Sequence, residues 1–255
     1  MDVTQRFSNR VDNYVKYRPG YPAALLDYLA LHAGIGPDTP VADIGSGTGI
    51  FSKSLLGRGC RVFAVEPNDA MRHTAERLLQ DDPDFVSVDG SAELTTLADA
   101  SVDLVVAAQA FHWFDPDKTR REWLRILRAG GKAALIWNDR KTDSTPFLAE
   151  YDELLRTLGT DYEKVNHRNI DAARLSMFFG PAGFTETVFQ NQQRFDWDGL
   201  YGRAMSSSYV PAEGEPGYAA FADGLRALFD RHATENGVAI DYDTRLFLGS
   251  LEAAY

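Results

Sequence analysis

Val41-Ala42-Asp43-Ile44-Gly45-Ser46-Gly47-Thr48-Gly49 runs from small and β-branched residues straight into three glycines separated by two hydroxyl residues. Val41, Ala42 and Ile44 suit a parallel strand buried on both faces. Ile50-Phe51-Ser52-Lys53-Ser54-Leu55-Leu56 then carries helical spacing. Strand, glycine turn and helix together form the opening unit of a nucleotide-binding α/β fold. Glycine serves there because the turn is tight and a side chain would keep a ligand from the backbone. A phosphate-binding loop would need Lys-Ser or Lys-Thr after the glycines, and Thr48-Gly49-Ile50 offers neither. A dinucleotide fingerprint needs a third glycine where Ile50 stands. The spacing is instead Asp-x-Gly-x-Gly-x-Gly, with Asp43 two residues before Gly45.

The chain around this unit has 255 residues, 44% of them apolar and 12% aromatic, enough for one α/β domain with additions. No run approaches the ~18 apolar residues of a membrane span, and the first ten residues are polar, unlike a secretory signal. Cys60 is the only cysteine, which excludes an internal disulfide and fits a reducing compartment, so a cytoplasmic location is expected. A net charge of −11 argues against a grip on nucleic-acid phosphates. The histidines at 32, 73, 112, 167 and 232 show no metal spacing, and no metal is expected.

Outward from the glycine turn, the elements alternate. Asn9 to Tyr17 can form a helix that Arg18-Pro19-Gly20-Tyr21-Pro22 cannot continue. Leu25, Leu26, Leu29 and Ala30 give a helix face ending near Gly34. The tyrosines of this lead either pack on the domain edge or close as a lid over the glycine loop. Strands are expected at 40–44, 61–65, 85–88, 101–108 and 132–137. Helices follow Gly49, Asn68 and Asp115, the last stopped by Gly130-Gly131. The repeated β-α order implies a parallel sheet. Beyond it, helices are expected at 147–158, 169–179, 199–208 and 218–235. Strands are expected from 183 to 190, extending as far as 195, and from 242 to 251. The expected fold class is α/β, a doubly wound, mostly parallel seven-stranded sheet with helical insertions over the ligand crevice. Residues 1–255 read as one domain: a lid and helix at 1–37, a core at 38–138, and a C-terminal half at 139–255 with a helical cap.

The strand ends carry the chemistry. Glu66-Pro67-Asn68 closes the second strand, and a carboxylate there can accept from both hydroxyls of a ribose. Asp89-Gly90-Ser91-Ala92-Glu93-Leu94 follows the third strand, where an acidic residue could take an adenine amine and Ala92 or Leu94 could pack on the ring. Gln109-Ala110-Phe111-His112-Trp113-Phe114 follows the fourth. Its aromatics make either a packed corner or a wall beside the reacting groups.

These motifs, in this order over about residues 38–138, resemble the class I S-adenosylmethionine-dependent methyltransferases of the type 11 domain. The lead, with Phe7-Ser8-Asn9-Arg10 and Tyr17-Arg18-Pro19-Gly20-Tyr21-Pro22, is similar to the start of the trans-aconitate methyltransferase-like subgroup. Ser46 stands where that family often has Cys. The resemblance implies S-adenosyl-L-methionine as cofactor and a small-molecule acceptor, without nucleic acid or membrane. It places Gly45, Ser46, Gly47 and Gly49 against the amino-acid part of the cofactor, with Asp43 on its ammonium. Glu66, with Pro67, takes the ribose, Asn68 lies beside ribose and adenine, and Asp89, Ser91 and Ala92 meet the adenine. Gln109 lies near the sulfonium, and Tyr14 and Arg18 approach the carboxylate from the lid. Phe111 and Trp113 flank the acceptor. His112 is the candidate general base for a hydroxyl, thiol or protonated amine acceptor, since its ordinary pKa lies near neutrality. A carboxylate acceptor needs no base, and Arg18, Arg140 and Arg203 are candidates to hold it. The competing readings are a nicotinamide-dependent oxidoreductase and a non-catalytic cofactor-binding protein.

Overall fold

A computed structural model describes residues 16–160, 162 and 172–251. The expected helix at 9–17 lies outside the described residues except for Lys16 and Tyr17, which are helical. Helix α1 (Ala23–Ala33) leads into β1 (Pro40–Ile44), then α2 (Ile50–Leu56), β2 (Arg61–Val65), α3 (Asp69–Leu79), β3 (Phe85–Val88) and β4 (Val102–Ala108). A short 3₁₀ turn (Phe111–Trp113) precedes α4 (Pro116–Ile126) and β5 (Leu127–Arg140). Then come α5 (Pro146–Leu158), α6 (Ala172–Phe179), β6 (Thr185–Phe195), α7 (Trp197–Met205), α8 (Tyr218–His232) and β7 (Val238–Gly249).

The seven strands form one sheet in the order β3-β2-β1-β4-β5-β7-β6. The first five pair in parallel; β7 pairs antiparallel with both β5 and β6. After β1 the chain turns to β2 on one side, and β4 lies on the other. The carboxyl ends of β1 and β4 therefore flank the switch point, where an open α/β sheet leaves a crevice.

Alternation along the strands builds a core on each face. Val41 points to the face shared by Leu25 and Leu29 of α1 and Phe51 and Leu55 of α2. Ala42 and Ile44 point to the other, with Trp123 and Ile126 of α4 and Phe178 and Phe179 of α6. Both faces are sealed, which explains why β1 reads as a continuous apolar run. A third cluster joins α5, α7 and α8 (Leu148, Leu155, Leu200, Phe221, Leu225) to Phe195, Ile240 and Tyr242 of β6 and β7.

Some boundaries differ from the sequence reading. The helix α4 stops at Ile126, before Gly130-Gly131, because Leu127 is already extended and pairs with Val102. The next pair is Leu104 with Lys132, so the two glycines sit in a bulge of β5. A Cβ on Gly131 would lie 3.0 Å from the Asp103 carbonyl oxygen, which is why no side chain stands there. The final strand starts at Val238 rather than 242 and pairs with β6 from Val238 to Leu248. Helix α7 starts at Trp197, because the Asp196 carboxylate accepts from the Gly199 N–H at 2.8 Å and caps it. No helix among the described residues is long and apolar enough to cross a membrane.

Candidate active site

A cavity of about 400 Å³ opens over the carboxyl ends of β1, β2, β4 and β5 and extends beneath the lead and α7. The glycine turn forms its floor. Gly45 has φ +67°, and a Cβ there would come within 2.6 Å of the Ala110 Cβ, so the first turn position excludes any side chain. The Gly45 and Ser46 N–H groups both donate to the Val65 carbonyl, tying the loop to the end of β2.

Glu66 stands at that end, 7% exposed, and lines the cavity. One carboxylate oxygen accepts from the Gly47 N–H and the other from the Asn68 N–H, each at 2.8 Å. Burial raises its pKa, and these two N–H donors oppose the rise. Each oxygen keeps a further lone pair for a hydroxyl. Asn68 caps α3 by accepting from the Met71 N–H at 3.0 Å and also faces the cavity.

Asp43, at the end of β1, is 1% exposed. Its Oδ2 accepts from the Ser52 hydroxyl at 2.6 Å. Its Oδ1 is buried and has no hydrogen-bond partner among the described residues. Burial pushes the carboxyl up to about 7, Glu66 adding to the rise and Ser52 opposing it. A buried acceptor that lacks a donor, on a residue lining a cavity, is the complement of a cationic group such as an ammonium.

The other predicted residues divide. Ser46, Pro67, Ser91, Ala92, Gln109, His112 and Trp113 line the cavity, as do Arg18, Arg140 and Arg203. Gln109 holds φ +61°, a left-handed conformation unusual for its type and of the kind concentrated at functional sites. Gly49, Asp89 and Phe111 do not line the cavity. Gly49 begins α2, where a Cβ would meet Leu79 at 2.8 Å. The Asp89 side chain is 75% exposed and pairs with Arg72 at 3.4 Å. Phe111 is 1% exposed, its ring packed edge-on against Phe178 and Trp137, so the wall is made by Trp113 and Phe114 instead. Leu94 is 66% exposed and lies off the cavity. Tyr14 lies outside the described residues.

The lead is fastened across the C-terminal elements. Arg18 donates to the Ser206 carbonyl at 3.0 Å, and Gln193 donates to the Tyr17 carbonyl at 3.1 Å. Asn138 and Asn191 both donate to the Gly20 carbonyl. The Tyr17 ring lies so close to α7 that a Cβ on Gly202 would overlap it, at 2.0 Å.

Asn138, Tyr209 and Tyr242 also line the cavity and were not among the sequence candidates. Asn138 sits at the carboxyl end of β5, equivalent to Glu66 on β2, so the strand-end rule could have found it. Tyr242 depends on the β7 register and Tyr209 on the chain path after α7, neither of which leaves a local signal.

The sheet order and the glycine turn at the carboxyl end of β1 are those of a nucleotide-binding α/β fold. Similarity searching agrees. A family model described as a methyltransferase domain, type 11, matches residues 42–135. An uncharacterized methyltransferase of Mycobacterium tuberculosis is 32% identical over 252 residues, covering 95% of this chain and 94% of the relative. A solved structure from Anaeromyxobacter dehalogenans, provisionally assigned as a type II methyltransferase, is 28% identical with a TM-score of 0.67, over 93% of this chain and 100% of that one. A phosphoethanolamine N-methyltransferase of Haemonchus contortus, solved with S-adenosylhomocysteine, shares the fold at 15% identity and TM-score 0.58, over 99% of this chain and 59% of that one. The chain belongs to the class I S-adenosylmethionine-dependent methyltransferases.

Proposed function

We propose that this enzyme methylates a small-molecule acceptor in the cytoplasm, at a hydroxyl or carboxylate oxygen, by in-line displacement. The observation that carries the reading is one continuous cavity with two chemically distinct ends. We assign Asp43, the glycine turn, Glu66 and Ala92, which lie on or after β1, β2 and β3, to one, and Arg140, Arg203, Tyr209 and Tyr242, which lie on or after β5, α7 and β7, to the other; all of them line the cavity.

In this reading Asp43 Oδ1 takes the ammonium of the cofactor, and Glu66 accepts from the ribose hydroxyls. Ser91 and Ala92 border the adenine, and Gln109 and His112 flank the passage between the two ends. The cofactor supplies an already activated methyl on a sulfonium, so the protein has little covalent chemistry to perform. Its residues align the acceptor at near-attack distance and exclude water, which the fastened lead and α7 favour by roofing the cavity. Trp113 and Phe114 turn aromatic surface toward the cationic centre. His112 takes the proton when the acceptor is a hydroxyl; a carboxylate needs no such step. Cys60 is buried and does not line the cavity, as a reducing compartment permits.

Release of S-adenosylhomocysteine, measured with a fractionated metabolite extract, tests the proposal. Acceptor-dependent release is expected. Tight cofactor binding with no release from any fraction would make the chain a binding protein instead.

A further inference from the structure

The chain that leaves α7 gathers the charges of the far end of the cavity around one phenol. Arg18 donates to the Ser206 carbonyl at 3.0 Å, and Arg203 donates to the Ser207 hydroxyl at 3.0 Å. The Ser207 hydroxyl in turn donates to the phenolic oxygen of Tyr209, which lines the cavity. A chain of donors thus runs from a guanidinium through a hydroxyl and ends on the Tyr209 oxygen. The residue itself is fixed. The Thr160 N–H donates to its carbonyl at 2.8 Å, and its ring packs edge-on against Tyr162 at 5.0 Å. Other polar groups of this end are already matched. Arg140 pairs with Asp152 at 2.6 Å. The Tyr242 hydroxyl donates to Gln193 at 2.9 Å and accepts from Arg203 at 3.3 Å. Asn138 donates to the Gly20 carbonyl and accepts from Thr244 and Asn191. The Tyr209 oxygen has a lone pair beyond the one Ser207 uses.

We propose that Tyr209 is a specificity-determining residue: its phenolic oxygen accepts a hydrogen bond from a hydroxyl that the methyl acceptor carries apart from its reacting oxygen. This rests on the methyl-transfer reading of the same cavity and leaves the reacting oxygen at the passage beside His112.

The surrounding charges suit an oxygen that accepts. Burial alone would raise the Tyr209 phenol, but Arg203 of α7, Arg18 of the lead and Arg140 of β5, with the Ser207 hydroxyl, together hold it below its ordinary pKa. The neighbouring phenols behave oppositely. Burial raises Tyr151 of α5 and raises Tyr162 to about 12, and charge on Tyr209 adds to both rises. Tyr209 therefore ionises ahead of them. Its phenolate also balances Arg203, which is 6% exposed and hydrogen-bonds only hydroxyls among the described residues. An ionised oxygen accepts shorter and stronger bonds than a neutral one. A site built to hold a hydroxyl rejects the analogue that lacks it.

The test uses the full chain saturated with S-adenosylhomocysteine. Resorcinol, hydroquinone and butanediol are titrated by calorimetry, each beside its dimethyl ether, with wild type and Tyr209→Phe. At least one diol is expected to bind wild type more than tenfold tighter than its ether. Tyr209→Phe should cut that preference below threefold, while S-adenosylhomocysteine affinity changes less than twofold. Alkaline titration of phenolate absorbance gives an independent reading. The difference between wild type and Tyr209→Phe should show one tyrosine ionising below the ordinary pKa of about 10, and Arg203→Met should move it upward. The proposal is overturned if the ethers bind as well as the diols, if no diol binds, if Tyr209→Phe keeps the preference, or if the difference titration shows no such tyrosine. A wild type that fails to bind S-adenosylhomocysteine would instead overturn the methyl-transfer reading beneath it.

Discussion

Replacing Glu66 by Ala separates two jobs that one carboxylate performs. Each oxygen accepts a backbone N–H at 2.8 Å, one from the glycine turn and one from the start of α3. Glu66 also lines the cavity, where we place the ribose. Losing charge-assisted bonds to the ribose should weaken S-adenosylhomocysteine binding by about 1.5–3 kcal/mol, roughly 10- to 150-fold in Kd. Leaving the Gly47 and Asn68 N–H groups without an acceptor costs about 1–3 kcal/mol each in principle. Relief of a buried charge offsets part of that, so the ligand-free protein should lose stability by only about 1–3 kcal/mol. Glu66→Gln distinguishes the two jobs. Its amide offers one acceptor oxygen, so one backbone N–H is satisfied while the other faces an NH₂ donor. It should retain more stability than the Ala variant yet still bind the ligand weakly. Calorimetry with S-adenosylhomocysteine, alongside thermal unfolding without ligand, reads both quantities. Unchanged affinity in a folded Glu66→Ala protein would refute a ribose held at this position.

Other predictions follow from charge and close packing. Asp43 titrates near 7 in the ligand-free protein, so the stability tied to its raised pKa is complete below 3.8 and disappears as pH rises through 7. Its carboxylate form binds the ammonium, so S-adenosylhomocysteine affinity should fall by up to about tenfold per pH unit below 7. Asp43→Asn should bind weakly and lose that dependence, as calorimetry at pH 6 to 8 would show. Glu122 is held down to about 2: burial would raise it, but Arg125 and the Thr95 donors prevail. The stability it confers is complete above 4.5 and lost as pH falls toward 2, and Glu122→Gln should flatten that part of the acid-unfolding curve. Gly202→Ala should push Tyr17 and the lead off α7, lowering S-adenosylhomocysteine affinity and exposing the lead to limited proteolysis.

The sheet was legible because its strands obey local rules. Val41 to Ile44 needed only apolar continuity, and Glu66 and Gln109 only their positions at strand ends. The errors occur where a distant partner decides. Gly130 and Gly131 look like a helix stop, but the register shift against β4 puts them in a bulge, with Gly131 pressed against the Asp103 carbonyl. Phe111 and Phe114 are chemically alike in sequence, and only the packing of Phe178 and Trp137 sends the first into the core. Arg18, Arg140 and Arg203 were interchangeable as candidates. Their difference lies in Asp152, the Ser206 carbonyl and the two hydroxyls, contacts made across α5, α7 and β7.

The most direct measurement is a crystal structure of this chain with S-adenosylhomocysteine. The account predicts the ribose hydroxyls on Glu66, the ammonium within hydrogen-bond reach of Asp43 Oδ1, and the sulfur directed toward the space bordered by Arg203 and Tyr242. An adenosyl group bound elsewhere, or one whose ribose turns away from Glu66, would contradict it.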